Sequence, residues 1–274
     1  MTAKPEEYRS DYQPTWCPAC GDFGVLKSID LAFQELALPR EQIVVVSGIG
    51  CNGRFPHGFQ TYGFHTLHGR ALSIAQGINI AKPELSIVTI AGDGDAFAIG
   101  GGHLPHAARR NPDFVYIVLD NGIYAQTKGQ PSPTTPFGFK TKATPFGNQE
   151  DPIDIAELAL AYHVSFLGRG FSGKPNHLGK LIAEGIRHKG FALIQVLNPC
   201  TTFHDTWKEY TASVVEVGPE HDPTNFDAAT KLIGTHGKIP IGIIFRQNRP
   251  TLDERIRTKP QSQVDINEML MAFR

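Results

Sequence analysis

Five short apolar runs constrain the fold of this chain more than any other feature of its sequence. They cover residues 43–46, 85–91, 114–119, 164–167 and 191–197, and they are continuous in Val and Ile rather than alternating with polar residues. Strands buried on both faces of a parallel sheet have this pattern. Stripes at helical spacing, such as Leu72, Ala75 and Ile78, lie between most of the runs. The alternation predicts an α/β fold, a three-layer α/β/α sandwich with a mostly parallel sheet, whose ligands bind at the carboxyl ends of the strands.

Several segments refine this expectation. Residues 96–110 have a helix-like pattern, and another helix is expected to begin at Asp151 and Pro152, because proline suits the first helical turn. Residues 129–150 are rich in Pro, Thr, Gly and Phe, and a loop of this length is usually functional or mobile. A strand at 241–245 and a weak terminal helix near 266–273 follow. We expect an α/β domain over residues 1–210 and a C-terminal extension over 211–274, an arm that packs on the same domain or on a partner subunit.

The composition excludes several classes of protein. Hydrophobic residues make up 41% and charged residues 19% of the 274 residues, as in ordinary globular proteins. A net charge of −1 argues against a polybasic surface for nucleic acid. No apolar run reaches the ~18 residues of a membrane span, and the first residues lack the apolar core of a secretory signal. We therefore expect a cytoplasmic protein, in which four cysteines are better explained by metal ligation or catalysis than by disulfides.

A Gly-Asp-Gly-Asp motif directly follows the second apolar run. It comprises Gly92, Asp93, Gly94 and Asp95, and Asn121 follows the next run. Glycines permit close approach to a diphosphate, and a carboxylate with an amide oxygen suits a hard divalent cation. A plain turn is the competing interpretation of Gly-Asp-Gly taken alone. The asparagine counts against that interpretation, and the 29-position separation of Gly92 from Asn121 resembles the thiamine-diphosphate signature.

All four cysteines lie at the ends of predicted elements. Cys17 and Cys20 form a C-x2-C pair, whereas Cys51 and Cys200 each follow a predicted strand. Structural zinc, an iron–sulfur cluster and a redox dithiol all suit such a pair, and a lone cysteine is most often a small buried hydrophobe. On spacing alone, structural zinc and an iron–sulfur cluster are about equally favoured, although the long gaps around Cys51 do not match a zinc finger or ribbon.

Together these segments resemble the β subunit of 2-oxoacid:ferredoxin (acceptor) oxidoreductases, and most closely the 2-oxoglutarate:ferredoxin type. The resemblance runs from about Tyr12 to about Tyr210. It is carried by WCPACGDFGVL from residue 16, SGIGCNGRF from 47, HTLHGRA from 65, GDGDAFAIGGGHLPHAARRN from 92, LDNGIYAQTKGQPSPTT from 119 and NPC from 198. The family's first motif usually has glycine where this chain has Ala19, a change that leaves the cysteines unaffected.

The resemblance implies a fold and a set of cofactor residues. The fold is the thiamine-diphosphate-binding fold. One [4Fe–4S] cluster would be ligated by Cys17, Cys20, Cys51 and Cys200, and Mg2+ would be held by Asp93, Asn121 and the backbone carbonyl of Ile123. The diphosphate and thiazolium would be lined by Ile49, Gly50, Cys51, Asn52, His68, Gly92, Gly94, Asp95, Ala125 and Gln126. Residues 127–130 resemble the version of this loop in 2-oxoglutarate and broad-range members, since pyruvate enzymes more often carry glycine in place of Lys128.

The resemblance also implies the reaction and its partners. The chain would be the β subunit of a coenzyme A-dependent enzyme that converts a 2-oxoacid, preferably 2-oxoglutarate, to acyl-CoA and CO2, with one-electron transfers from the thiamine adduct to the cluster. The glutamate that activates thiamine belongs to another domain of this family, so an α or α–γ fused subunit is required, in an (αβ)2 assembly. A ferredoxin-type carrier is the expected electron acceptor.

Several alternatives remain open on the sequence alone. The substrate could be pyruvate or a broad range of 2-oxoacids; the chain could also be half of a non-redox thiamine decarboxylase, or a zinc-stabilised binding module. Arg54 and Lys128 are candidates for the substrate carboxylates, against the alternative of solvated surface charges. His65 and His68 are expected three apart on one helical face, where zinc ligation is conceivable although no third ligand is evident. In the long loop, Phe137 and Phe139 either cover the site or serve ordinary packing.

Overall fold

The computed structural model describes residues 8–235, 237–257 and 270–272 of the chain. The terminal helix that the sequence predicts near residues 266–273 lies mostly outside the described residues, and it stays a prediction.

One mixed sheet forms the centre of the molecule. Its strands are β1 (Ile43–Ser47), β2 (Tyr62–His65), β3 (Ser86–Gly92), β4 (Phe114–Asp120), β5 (Phe166–Phe171), β6 (Phe191–Leu197), β7 (Val214–Glu216) and β8 (Ile239–Arg246). Their order across the sheet is β2-β1-β3-β4-β6-β5-β8-β7. Every neighbouring pair is parallel except β5 and β8, which run antiparallel. The mostly parallel sheet predicted from the apolar runs is confirmed.

Helices cover both faces of this sheet. They are α1 (Asp22–Leu36), α2 (Ala71–Ala81), α3 (Leu104–Arg110), α4 (Ile155–Ala161), α5 (Pro175–Arg187), α6 (Trp207–Ser213), α7 (Phe226–Ile233) and α8 (Leu252–Arg257). Helices α1 and α5 pack together on one face, whereas α2, α3, α4 and α7 contribute to the core on the other. None of the helices in the described part of the chain is long and apolar enough to cross a membrane.

The β1 strand shows why its apolar run is continuous. All five of its residues are buried. Val44 and Val46 join the core on the side of α2, whereas Ile43 and Val45 join the core beneath α1. Burying each such side chain contributes about 1.5–3 kcal/mol, so both faces of the strand favour the three-layer arrangement.

The β5 strand begins later and extends further than the run at 164–167 predicts. It includes Gly168 and Gly170. Glycine is needed at these positions, because a Cβ would press on Leu181 of α5 at the first and on Leu178 at the second. Glycine weakens a strand's own preference for extended structure. Close packing of the helix therefore overrides the local sequence signal.

Two predicted helices were wrong in their extent. Residues 96–110 do not form one helix: a π turn (Asp95–Ile99) and a 3-10 turn (Gly101–His103) precede α3. Three consecutive glycines at 100–102 weaken this segment as a helix former. The helix expected at Asp151 and Pro152 begins instead at Ile155, because the Asp154 side chain accepts the N–H groups of Ala156 and Glu157.

The edge strand β2 was missed in the sequence analysis. The prediction that His65 and His68 lie on one helical face was wrong. All four β2 residues are exposed, so the strand carries no apolar run. His65 ends this strand, whereas His68 lies in the turn before α2. The two histidines therefore share no helical face, since parallel pairing with β1 extends the backbone here.

Candidate functional site

A cavity of about 530 Å³ opens at the carboxyl ends of β1, β3 and β4. Parallel pairing brings these strand ends to one edge of the sheet, which is the expected ligand position in such folds. The cavity is lined by all ten residues predicted for the diphosphate and thiazolium: Ile49, Gly50, Cys51, Asn52, His68, Gly92, Gly94, Asp95, Ala125 and Gln126. It is also lined by the three residues predicted for Mg2+, namely Asp93, Asn121 and Ile123.

Asp93 is almost fully buried at the base of this cavity. Its Oδ2 accepts a short hydrogen bond from the hydroxyl of Ser132 and another from Thr134 at 2.8 Å. Burial and the neighbouring Asp120 carboxylate raise the pKa of Asp93 above its ordinary value. Burial and a neighbouring negative charge both disfavour the ionised form of this carboxylate. A divalent cation would offset both, so Asp93 is a favourable ligand for one.

The long loop at 129–150 supplies the hydroxyls that surround Asp93. Thr134 also contacts Asp120 at 2.8 Å, so one hydroxyl lies between two carboxylates. Thr135 donates to the carbonyl of Gly122 at 2.6 Å and ties the loop to the end of β4. Sequence reasoning missed Ser132 and Thr134, although both stand inside the motif LDNGIYAQTKGQPSPTT that carried the resemblance.

Asn121 is held by local contacts just beyond β4. Its Oδ1 accepts the backbone N–H of Ile123 at 3.0 Å, and its carbonyl lies 2.7 Å from Nδ1 of His204. Phe139 packs against the His204 ring with centroids 4.6 Å apart, whereas Phe137 is 63% exposed. Asp93, Asn121 and Ile123 thus line one cavity, and the carboxylate and amide oxygens among them are donors that fit Mg2+.

Asp95 also lines the cavity and holds several of its neighbours in place. Its Oδ1 accepts the backbone N–H groups of Gly69 at 2.6 Å and Ile49 at 3.3 Å, and it lies 2.7 Å from Nδ1 of His68. This contact places Nδ1 of His68 against the Asp95 carboxylate, so the other ring nitrogen is the one left for a ligand. A Cβ on Gly48 would overlap the Asp95 carboxylate, so a glycine is needed for the β1 turn to pass this closely.

The four cysteines are unpaired thiols beside this cavity. Cys17 is exposed, Cys20 and Cys51 are half-buried, and Cys200 is buried. Burial, the Asp22 carboxylate, Cys200 and Cys17 together raise the pKa of Cys51 to about 12. Burial, Asp22, Cys51 and Cys200 raise the pKa of Cys20 as well. The four thiols therefore lie close enough for their charges to act on one another. A bound cation would favour their thiolate forms.

The loops that carry these cysteines also contact each other directly. Thr201 donates to the carbonyl of Pro18 at 3.1 Å, and the Trp207 indole donates to the carbonyl of Ala19 at 3.0 Å. The Trp16 indole donates to the carbonyl of Cys51 at 2.8 Å. Within the described ranges, no three side chains of His, Cys, Asp or Glu form a group that could hold a single metal ion.

The predicted substrate residues do not line the cavity. Arg54 lies 3.4 Å from the hydroxyl of Tyr12, and Lys128 is exposed. Thr127 and Gln130, close to Lys128 in sequence, do line it and hydrogen-bond each other at 2.5 Å. Sequence reasoning also missed the lining residues Asp22, Tyr124 and Asn198, although all three stand inside the motifs that carried the resemblance.

Comparisons with known proteins agree with this fold. The family model described as "Thiamine pyrophosphate enzyme, C-terminal TPP binding domain" matches residues 35–196, so the chain has the domain of this class of enzymes. A second model, for the C-terminal part of the pyruvate ferredoxin oxidoreductase beta chain, matches residues 200–260. The chain is 40% identical over 267 residues to the 2-oxoacid:ferredoxin oxidoreductase subunit beta of a Sulfolobus species, covering 91% of this chain and 88% of the relative. It therefore belongs to the β-subunit family of the 2-oxoacid:ferredoxin oxidoreductases, as the sequence motifs predict.

Two further similarities concern the 2-oxoglutarate members. The chain is 46% identical over 204 residues to the 2-oxoglutarate synthase subunit KorB of Archaeoglobus fulgidus, covering 74% of this chain and 76% of the relative. It matches a solved structure of 2-oxoglutarate:ferredoxin oxidoreductase from Magnetococcus marinus with a TM-score of 0.94 and 38% identity, over 99% of this chain and 96% of that one. That structure contains 2-oxoglutarate, coenzyme A and succinyl-CoA.

Proposed function

We propose that this chain and an α subunit together convert 2-oxoglutarate, in the presence of coenzyme A, to an acyl-CoA and CO2. Electrons leave one at a time through a [4Fe–4S] cluster to a ferredoxin-type carrier. The observation that carries the proposal is Cys51, which lines the cavity of the thiamine-enzyme domain and also belongs to the group of four thiols. Electron transfer needs a donor and an acceptor close together, and Cys51 would adjoin both proposed groups.

The residues present fit these groups. When bound, thiamine diphosphate supplies the nucleophilic carbon and the electron sink, Mg2+ neutralises the diphosphate, and the cluster accepts electrons. Asp93, Asn121 and the carbonyl of Ile123 would hold Mg2+. His68, oriented by Asp95, would donate to the diphosphate. The cluster would be held by Cys17, Cys20, Cys51 and Cys200, since four iron corners do not require their ligands to converge on one point.

Substrate choice is proposed from the loop beside the cavity. Thr127 and Gln130 line the cavity, and Lys128 lies between them in sequence. A lysine placed there suits the second carboxylate of 2-oxoglutarate as a point charge, and Arg54 remains the candidate for another carboxylate contact. The similarity to 2-oxoglutarate synthase subunits points the same way. Pyruvate or broad-range specificity is the second candidate, because broad-range relatives share this loop by resemblance.

An α subunit is proposed to cover the mouth of the cavity. Apolar side chains are exposed close to residues that line the cavity: Ile49, itself a lining residue, is 39% exposed, Leu67, next to His68 in sequence, is 72% exposed, and Ile99, which approaches Gly69, is 53% exposed. Exposed apolar side chains grouped around a site suit a protein interface. Two αβ units would assemble as (αβ)2, and the cytoplasm would keep the four thiols reduced.

The division into residues 1–210 and 211–274 is also kept as a proposal. The two family models meet between residues 196 and 200, close to this boundary. The β8 strand nevertheless pairs with β5, so part of the C-terminal segment extends the main sheet.

The test is the iron and acid-labile sulfide content of the anaerobically purified αβ complex, together with its absorption spectrum. We expect about four irons and four sulfides for each β chain, with a broad band that dithionite bleaches. Substrate screening with coenzyme A and ferredoxin then follows, with 2-oxoglutarate expected to give the highest kcat/KM. Zinc without iron would refute the redox reaction. Thiamine-dependent decarboxylation by an iron-free complex would instead favour the non-redox alternative.

A further inference from the structure

Asp22 is a buried carboxylate between the cavity and the cysteines. It is the first residue of α1, two positions after Cys20, and only 2% of it is exposed. Asn198, 1% exposed, follows β6 and donates through Nδ2 to Asp22 Oδ1 at 2.6 Å. Both side chains line the cavity. This hydrogen bond joins the loop of Cys17 and Cys20 to the loop of Cys200.

Asp22 lies between the loops that carry Cys20 and Cys200. It stands two positions after Cys20, and the N–H of the intervening Gly21 donates to the carbonyl of Pro199, next to Cys200, at 3.1 Å. Asn198, which donates to Asp22, stands two positions before Cys200. The buried carboxylate is therefore held at the junction of the two cysteine loops.

Helix stability does not explain this placement. An acidic residue at a helix start usually accepts backbone N–H groups, yet the start of α1 has no side-chain cap. Asp22 Oδ2 and Asn198 Oδ1 are both buried without a hydrogen-bond partner. Such unpaired oxygens cost free energy, so a role outside folding is the better account of their presence.

We propose that Asp22, anchored by Asn198, is a positioning residue that holds the loops of Cys20 and Cys200 together and lowers the reduction potential of the iron–sulfur cluster. This inference rests on the proposed function. A carboxylate beside the cluster disfavours the arrival of an electron, because the reduced cluster carries one more negative charge. A lower potential would favour passage of electrons to a low-potential carrier.

The experiment is a redox titration of the αβ complex followed by electron paramagnetic resonance, with iron and sulfide measured first. We expect Asp22→Asn, which keeps the shape and removes the charge, to shift the midpoint potential to a less negative value. Asp22→Glu should return the potential toward that of the unmodified complex. The matched control is Asp30→Asn, eight positions along α1 and thus ~12 Å further along the helix, which should leave the potential unchanged.

Two results would overturn the inference while leaving the proposed function intact. One is an Asp22→Asn complex with full iron content and an unchanged potential. The other applies if the Asp22→Asn variant loses iron. The Asn198→Ala variant, which keeps the carboxylate and removes its anchor, is then measured instead, and a potential and spectrum identical to those of the unmodified complex would overturn the inference. An unmodified complex without iron would overturn both the inference and the proposed function.

Discussion

Lys128 occupies a backbone conformation that favours glycine. Its φ is +84°, and Gly129 follows with φ +97°. The turn is closed by hydrogen bonds from the N–H of Lys128 to the carbonyl of Ala125 at 3.1 Å and from Gly129 to Tyr124 at 2.9 Å. A side chain in this region is strained, so a lysine here needs a reason beyond the turn, and the proposed substrate contact supplies one.

We therefore expect Lys128→Gly to weaken use of 2-oxoglutarate without loss of stability. A charge-assisted contact contributes about 1.5–3 kcal/mol, so kcat/KM for 2-oxoglutarate should fall about 10-fold or more, while that for pyruvate changes little. Thermal unfolding should stay level or rise, because glycine relieves the strain. Lys140→Gly, in the long loop that follows Lys128, serves as the control. An equal loss for both substrates would contradict a role in selecting a dicarboxylate.

Asp93 gives a second prediction at this scale. Asp93→Asn keeps the contacts with Ser132 and Thr134 possible but removes the charge proposed to hold Mg2+. Loss of a second-layer metal contact already costs about 10–100-fold in affinity, so loss of this ligand should weaken Mg2+-dependent thiamine diphosphate binding at least that much. Isothermal titration calorimetry measures it, with Asp113→Asn as the control. Unchanged affinity would remove Asp93 from the metal site.

At the scale of elements, side-chain contacts set several boundaries that composition does not. The helix α4 begins at Ile155 because Asp154 caps it, with Oδ1 accepting from Ala156 at 2.8 Å and Glu157 at 3.0 Å. Pro152, three residues earlier, is a helix-start signal that the chain does not use. Capping by a carboxylate satisfies two free N–H groups, which proline cannot do.

Asp154→Ala should therefore destabilise the protein, whereas Asp151→Ala should not. Loss of a helix cap typically costs about 1 kcal/mol, visible as a lower midpoint in urea denaturation of the purified chain. Asp151 is the matched control, since it lies in the same acidic stretch and caps no helix. Equal effects of the two variants would mean that the helix start is not fixed by this cap.

At the scale of the whole molecule, exposed apolar residues lie close in sequence to residues that line the cavity, as Leu67 does to His68. We expect Leu67→Asp to weaken association with the α subunit by about 10-fold or more, because a charge would replace an apolar contact at an interface. Ile80→Asp is the control: Ile80 is 58% exposed at the far end of α2, away from the cavity. Surface plasmon resonance compares the two. Equal weakening by both variants would place the α subunit elsewhere.

The sequence by itself determined the buried central strands of the sheet and the positions of the motifs that follow them. Continuous Val and Ile runs specify strands buried on both faces, and parallel strands must present their carboxyl ends at one edge. Asp93, Asn121 and Cys51 each come just after a strand, and for this reason the three residues are expected to meet. The three residues come together because parallel strands run in the same direction, and this does not depend on the details of side-chain packing.

Only the tertiary structure decided which distant polar groups pair. The Asp22–Asn198 hydrogen bond spans 176 positions, and the hydroxyls on Asp93 come from a loop without periodicity. The edge strand β2 is likewise defined by pairing with β1, since its own residues are all exposed. Such contacts leave no local pattern, because the chain must first fold for the partners to come within hydrogen-bond distance.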